Sequence, residues 1–127
     1  LVSRISMSRL LRMKINCYPR QTKIIADRTV GGMHVDFERP HVVGIYCVNT
    51  NNGYTLFEDG TECPSIANTM YIFDGRMQHA CVHQTDENLR VNLDPTAVAA
   101  LIELPPNRQA ITTSPLTNAA APSSGSI

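Results

Sequence analysis

Two histidines, an aspartate and an arginine carry the chemistry that this sequence offers. His34 and Asp36 stand two apart in His34-Val35-Asp36, so on an extended strand end both side chains point to one face. His79 comes much later and can be returned from a neighbouring strand. Two imidazoles and a carboxylate that converge in space form a facial triad. Such a triad holds a non-haem Fe(II) by three ligands and leaves three positions open for chemistry. Arg90 follows eleven residues after His79, within Leu89-Arg90-Val91-Asn92-Leu93. That stretch alternates like a strand and puts Arg90 and Asn92 on one face. An inward arginine needs an anion, because an unpaired buried charge is costly, and its guanidinium offers a two-pronged fork to a carboxylate. His83 is the rival for the third ligand position, and His41, just after Pro40, reads as a surface residue.

The elements that must position these groups read as short strands. Residues 12–18 alternate, with Met13, Ile15 and Cys17 on one face and Lys14, Asn16 and Tyr18 on the other. Pro19 stops that strand. The polar face is unusual for a barrel interior unless the interior holds a polar ligand. Residues 21–30 form a loop or weak strand, and Gly31-Gly32 breaks the chain so that His34 can aim inward. Residues 41–49 are apolar on both faces, as in a covered strand. Asn52-Gly53 then signals a tight hairpin, with residues 54–57 as the return strand. Glu58-Asp59-Gly60 turns again. Residues 68–73, 78–82 and 89–93 are further strands, with the polar residues 84–88 joining the last two. Many short strands with turn signals between them read as a sandwich or small barrel. All seven Tyr and Phe residues lie between Tyr18 and Phe73, which puts the core there.

The ends read differently. Residues 1–11 look like the last turns of a helix, and the start at Leu1 reads as a fragment or processed piece. Residues 95–104 are expected to form a short helix, with Asp94 as N-cap and Pro95 at its first position. Pro105-Pro106 ends it, and from Asn107 onward the Thr, Ser, Ala, Pro and Asn composition reads as disordered. The chain thus divides into 1–11, a β-domain over 12–94, and 95–127.

Composition sets the bounds. The 127 residues allow one domain with one core. Net charge is zero, so bulk electrostatics give no nucleic-acid signal. The first 28 residues hold seven of the eleven basic residues and one acid, Asp27. They form a solvated face with a linker, or a rim that draws in an anionic substrate. No apolar run approaches the length of a membrane span. Arg4, Arg9, Arg12 and Lys14 interrupt any secretory apolar core. Cys17, Cys47, Cys63 and Cys81 show no Cys-X-X-Cys spacing. They read as reduced thiols in a cytoplasmic, reducing compartment, and their wide spacing argues against zinc.

Taken together, the order His34-Val35-Asp36, His79, Arg90 resembles the Fe(II)/2-oxoglutarate-dependent oxygenases. The resemblance is to the prolyl-hydroxylase-like branch, including small members carried by marine phages, and covers roughly residues 11–93. The segments Asn16-Cys17-Tyr18-Pro19, Ile45-Tyr46-Cys47-Val48-Asn49, Asn52-Gly53-Tyr54-Thr55-Leu56-Phe57 and Ile72-Phe73-Asp74 take part in it. It implies a mainly β fold with minor α, the double-stranded β-helix or cupin-like jelly-roll barrel. It also implies a dioxygenase that hydroxylates a substrate, peptidyl proline being the first guess, with release of succinate and CO2. His34, Asp36 and His79 would hold Fe(II). Arg90 and Tyr18 would hold the far end of 2-oxoglutarate, with Tyr54 and Asn92 close by, and ascorbate is a candidate reductant. The expected partners are this cosubstrate and a peptide or protein substrate. Two features depart from the family. Cys47 stands where a second cosubstrate-binding tyrosine is common, leaving Tyr54, Thr55 or a water to substitute. The aromatic strand that usually follows the arginine is absent. Cys81, two after His79, is expected to face the same interior and to be an oxidation target. The alternative is a cupin-like metal-binding module, or an inactive fragment, without turnover.

Overall fold

The computed structural model describes residues 7–25, 32–99 and 112–115. Among them there are eight strands and no helix: β1 Met7–Pro19, β2 Val42–Cys47, β3 Tyr54–Phe57, β4 Glu62–Pro64, β5 Thr69–Asp74, β6 His79–Val82, β7 Leu89–Ala99 and β8 Thr112–Pro115. They build two antiparallel sheets, a five-stranded one in the order β1-β7-β2-β5-β8 and a three-stranded one in the order β4-β3-β6. The chain is therefore an all-β protein, as its strand patterns predict.

The core lies where the two sheets meet. Val43, Ile45 and Cys47 of β2 and Tyr71 and Phe73 of β5 come from the larger sheet; Phe57 of β3 and Cys63 of β4 come from the smaller one. The Phe57 and Phe73 rings meet edge to face at 4.8 Å, a favoured aromatic geometry. The Tyr71 hydroxyl donates across the gap to the Pro64 carbonyl at 2.7 Å. β2 is hydrogen-bonded on both edges, by β7 and β5, and is buried on both faces, which fits its apolar run.

Several expectations change. Asn52-Gly53 does not close a hairpin, because β2 and β3 belong to different sheets. The dipeptide ends a crossover instead. Asn52 is tied to Asp86 and Thr85, and a Cβ on Gly53 would lie 2.9 Å from the Val82 carbonyl oxygen. Close backbone approach, not a positive φ, is why glycine stands there. The hairpin is the next turn. Gly60 has φ 90°, Phe57 N donates to Thr61 O at 2.9 Å, and the chain returns as β4, a strand whose three residues are too few to carry a pattern.

The C-terminal helix is also replaced. Residues 95–99 continue β7, and Thr112–Pro115 pairs with β5 as an edge strand, inside the stretch expected to be disordered. Residues 100–111 and 116–127 lie outside the described residues. Pro95 faces Met13 of β1, in a strand with neighbours on both sides, where proline is normally excluded. Two features accommodate it. The β2–β7 ladder has Val43 opposite Thr96 and Tyr46 opposite Leu93, and its pairing lapses between these two rungs. Gly44 makes room, since a Cβ there would come within 2.9 Å of Pro95 Cγ. At the other end, residues 7–11 belong to β1 and not to a helix remnant, while residues 1–6 lie outside the described residues.

Strand β1 turns the usual polarity inside out. Met13 and Ile15 are 55% and 66% exposed. Arg12, Lys14, Asn16 and Tyr18 face the interior, where they line a cavity.

Candidate metal centre

His34 reaches the smaller sheet through an isolated antiparallel bridge to His79. His34 N donates to His79 O, and His79 N donates to His34 O, each at 3.0 Å. This reciprocal pair of hydrogen bonds fixes the two histidines opposite one another, with ring centroids 4.7 Å apart. Asp36, two residues on, brings Oδ1 to 3.7 Å from His34 Nε2. One possible ligand atom from each of His34, Asp36 and His79 lies within 4.8 Å of the others.

The two rings are presented in the same way. His34 Nδ1 lies 3.2 Å from Gly32 O, and His79 Nδ1 lies 3.0 Å from Met77 O. A carbonyl oxygen only accepts, so Nδ1 is the donor in both rings, and in the neutral form of either ring Nε2 is the atom that offers a lone pair. Backbone carbonyls of this kind orient metal-binding imidazoles. His79 is buried against the Phe73 ring. Burial holds its pKa below the usual histidine value, with the nearby His34 adding to the effect. Both influences favour the neutral ring that a metal needs. His34 is exposed and Asp36 half-buried, so one side of the cluster is open. Arg12 approaches Asp36 Oδ2 at 3.7 Å and lies over the Phe37 ring.

The cluster borders a cavity of about 290 Å³. Its polar wall comes from the β1–β7 pair. Tyr18 lies opposite Arg90, Asn16 opposite Asn92, Lys14 opposite Asp94 and Arg12 opposite Thr96. Four consecutive cross-strand pairs of inward polar residues explain the unusual face of β1: it lines a site and not a core. Val43 and Ile45 of β2 and Thr55 of β3 complete the wall.

Arg90 is 1% exposed and sits behind this wall. Its Nη1 donates to Val82 O at 2.9 Å, Cys81 Sγ at 3.0 Å and Tyr54 O at 3.2 Å. Its Nη2 reaches Thr55 Oγ1 at 3.4 Å, and Nε has no acceptor among the described residues. No carboxylate forms an ion pair with it among the described residues. The guanidinium lies 5.5 Å from the Tyr18 ring centroid. Burial raises the Tyr18 phenol well above its usual value, with Cys81 contributing, so it is a hydrogen-bond donor. The Cys81 thiol is also raised, first by burial, against the pull of Arg90.

The other candidates fall at different places. Asn92 is 3% exposed, lines the cavity and has no donor for its Oδ1 among the described residues. Tyr54 offers Arg90 only its backbone carbonyl. Its neighbour Thr55 lines the cavity, so by strand alternation the Tyr54 ring points away. Cys47 belongs to the apolar core beside Cys63 and does not line the cavity. The His83 ring lies tilted against Tyr18, centroids 5.0 Å apart, and borders a second cavity of about 280 Å³ with Gln21, Lys23 and Ile25. His41, expected at the surface, is 2% exposed. Its Nδ1 donates to Arg39 O at 2.6 Å, and Gly75 leaves space for its ring.

One site residue escapes the sequence reading. Asp94, expected as a helix cap, lines the cavity and accepts from the Asn16 amide. Burial raises its pKa to about 6, against the lowering pull of Lys14. The alternation Arg90, Asn92, Asp94 is the signal that could have found it, and Pro95 conceals that signal.

No protein-family model matches the chain, and no curated protein and no solved structure is found to be similar to it.

Proposed function

We propose that this chain is an Fe(II)- and 2-oxoglutarate-dependent dioxygenase that hydroxylates its substrate with release of succinate and CO2. The carrying observation is the approach of His34, Asp36 and His79 to within 4.8 Å, with both Nδ1 protons committed to backbone carbonyls. Two nitrogens and one carboxylate oxygen, open on one side, suit ferrous iron. With this reading goes the finer fold, a double-stranded β-helix, for which two antiparallel sheets around a shared core are the expected frame. The four free thiols accord with a reducing, cytoplasmic setting. Among the described residues, no helix is long and apolar enough to cross a membrane.

The bound metal and cosubstrate would supply the activation of dioxygen. The chain's own part is to hold and orient. His79, buried and neutral, and Asp36 would fix the metal from the wall, and His34 from the open side. Arg12 would release Asp36 to it. Arg90 suits the far carboxylate of 2-oxoglutarate because it is a buried cation with a spare Nε donor and no carboxylate partner among the described residues. The Tyr18 phenol and Thr55 hydroxyl stand beside it as further donors, and Asn92 borders the same space.

A cupin-like metal-binding module remains the second reading. It is favoured by the engagement of Arg90 Nη1 with protein acceptors and by the placement of Cys47 in the core. The test is the anaerobic Fe(II) protein with added 2-oxoglutarate. An oxygenase gives the visible charge-transfer band of the chelate, and succinate once oxygen is admitted. Arg90→Lys keeps the charge but loses the fork. At roughly 1.5–3 kcal/mol per charged hydrogen bond, it should weaken 2-oxoglutarate about tenfold or more with iron affinity unchanged. Iron binding with no band and no succinate would overturn the oxygenase reading in favour of the module.

A further inference from the structure

Lys14 and Asp94 face each other across the β1–β7 ladder, and both line the cavity beside the metal cluster. They do not close an ion pair. The ion pairs among the described residues are Arg12–Asp36 and Arg76–Asp74, and His34 Nε2 lies 3.7 Å from Asp36 Oδ1. Asp94 Oδ2 takes the Asn16 amide, but Oδ1 is buried and has no donor among the described residues. Two residues back along β7, Asn92 is 3% exposed, and its Oδ1 also lacks a donor among the described residues. Two buried acceptors on one strand face thus border a cavity whose opposite strand carries Lys14, with Arg12 beyond it. Buried acceptors in folded proteins are nearly always satisfied, and a buried carboxylate calls for a cation. A ligand with cationic hydrogen-bond donors at one end and an anionic acceptor at the other would meet Asp94 and Asn92 on β7 and Lys14 on β1.

We propose that this gap is the subsite for a free α-amino acid. Its ammonium carries three donors, enough for Asp94 and Asn92 together, and its carboxylate lies one carbon away, toward Lys14. Peptide-bond formation removes both charges, so the site selects the free molecule over a residue within a chain. A cavity of about 290 Å³ suits a small ligand. The proposal rests on the oxygenase reading only in making this amino acid the hydroxylated substrate; the binding itself requires no turnover.

The test is calorimetric titration of the full chain at pH 7.5 with each of the twenty common L-amino acids. The best binder is then compared with its N-acetyl and carboxamide derivatives. At least one free amino acid should bind, and blocking either end should weaken it tenfold or more. Asp94→Asn should cost the free form tenfold or more and leave the N-acetyl form unaffected. Lys14→Gln should do the same for the free form and leave the carboxamide unaffected. Lys14 is exposed, so this second variant keeps the proposal testable if Asp94→Asn fails to fold. Binding by none of the twenty, equal binding of the blocked derivatives, or parent-like binding by both variants would each overturn it. Iron affinity and succinate release, measured on the same samples, separate the two readings. Amino-acid binding without succinate would leave the subsite standing and remove the oxygenase. Succinate release with no charge-selective binding would do the opposite.

Discussion

At the scale of single residues, the site combines a candidate metal cluster, in which both histidine Nδ1 atoms face backbone carbonyls, with a carboxylate whose burial is unfavourable. The first property underlies the proposed ligand set. His79→Ala should lower Fe(II) affinity by roughly a hundredfold or more, since changes merely beside a metal ligand already cost about 10–100-fold. His83→Ala should leave it nearly intact, because that ring lies against Tyr18. Competition with a coloured chelator measures both, and the reverse ranking would move the third ligand to His83. The second property affects stability. The Asp94 pKa is raised to about 6 from the ordinary 3.8, so between these values the folded state holds a proton that the unfolded state has lost. Its stability contribution is full below about pH 4 and is lost as pH rises through about 6. The cost at neutral pH is about 3 kcal/mol, since each tenfold change in proton affinity corresponds to about 1.36 kcal/mol. Asp94→Asn should therefore stabilise the chain at pH 7.5 in urea unfolding, with the gain shrinking toward pH 4. A destabilised variant at pH 7.5 would show that the carboxylate is compensated in the fold. A gain in stability with a loss of ligand binding is what a functional, unfavourably placed group should give.

At the scale of elements, β7 is the decisive strand. It carries Arg90, Asn92 and Asp94 inward and crosses a proline without ending. The contact between Gly44 and Pro95 makes this possible. Gly44→Ala would set a methyl group 2.9 Å from Pro95 Cγ and 3.1 Å from Met70 Sδ, an overpacking that should cost about 1–3 kcal/mol. Combining it with Pro95→Ala should recover part of that cost. Denaturant midpoints for the two single variants and the double variant give the coupling directly. Strictly additive losses would mean that Gly44 and Pro95 do not accommodate one another.

At the scale of the whole molecule, two sheets share one apolar core at the β2–β5 side and one polar cavity at the β1–β7 side. The inward turn of polar residues on β1 leaves Leu11, Met13 and Ile15 outside, with Leu89 exposed on neighbouring β7. Because these side chains point away from the cavity, Met13→Gln with Ile15→Gln should leave iron affinity unchanged. Stability should shift by about 0.5 kcal/mol or less for each surface change, while fluorescence of a hydrophobic dye should fall as apolar surface is removed. A loss of iron binding in this pair would mean that β1 presents the opposite face to the cavity.

The sequence alone is enough to locate the strands that alternate or run apolar, because side-chain periodicity is a local property. Tyr54–Phe57 is legible to the residue and the centres of β2, β5 and β6 closely, and the polar face of residues 12–18 already implies a polar interior. The grouping of His34, Asp36 and His79 is also anticipated, since a two-residue spacing fixes a shared face for the first two. Tertiary structure decides what depends on partners far along the chain. Asn52-Gly53 has the composition of a hairpin, yet packing against Val82 and bonds to Asp86 and Thr85 make it a crossover. Pro95 has the look of a helix start, yet Gly44, fifty-one residues earlier, opens the space that keeps it in a strand. His41 looks exposed in the sequence because nothing local shows that Gly75 leaves room for its ring. Asp94 becomes a site residue only when β1 places Lys14 and Asn16 across from it. In each case the local preference is weak, and the contact that overrides it joins residues that only folding brings together.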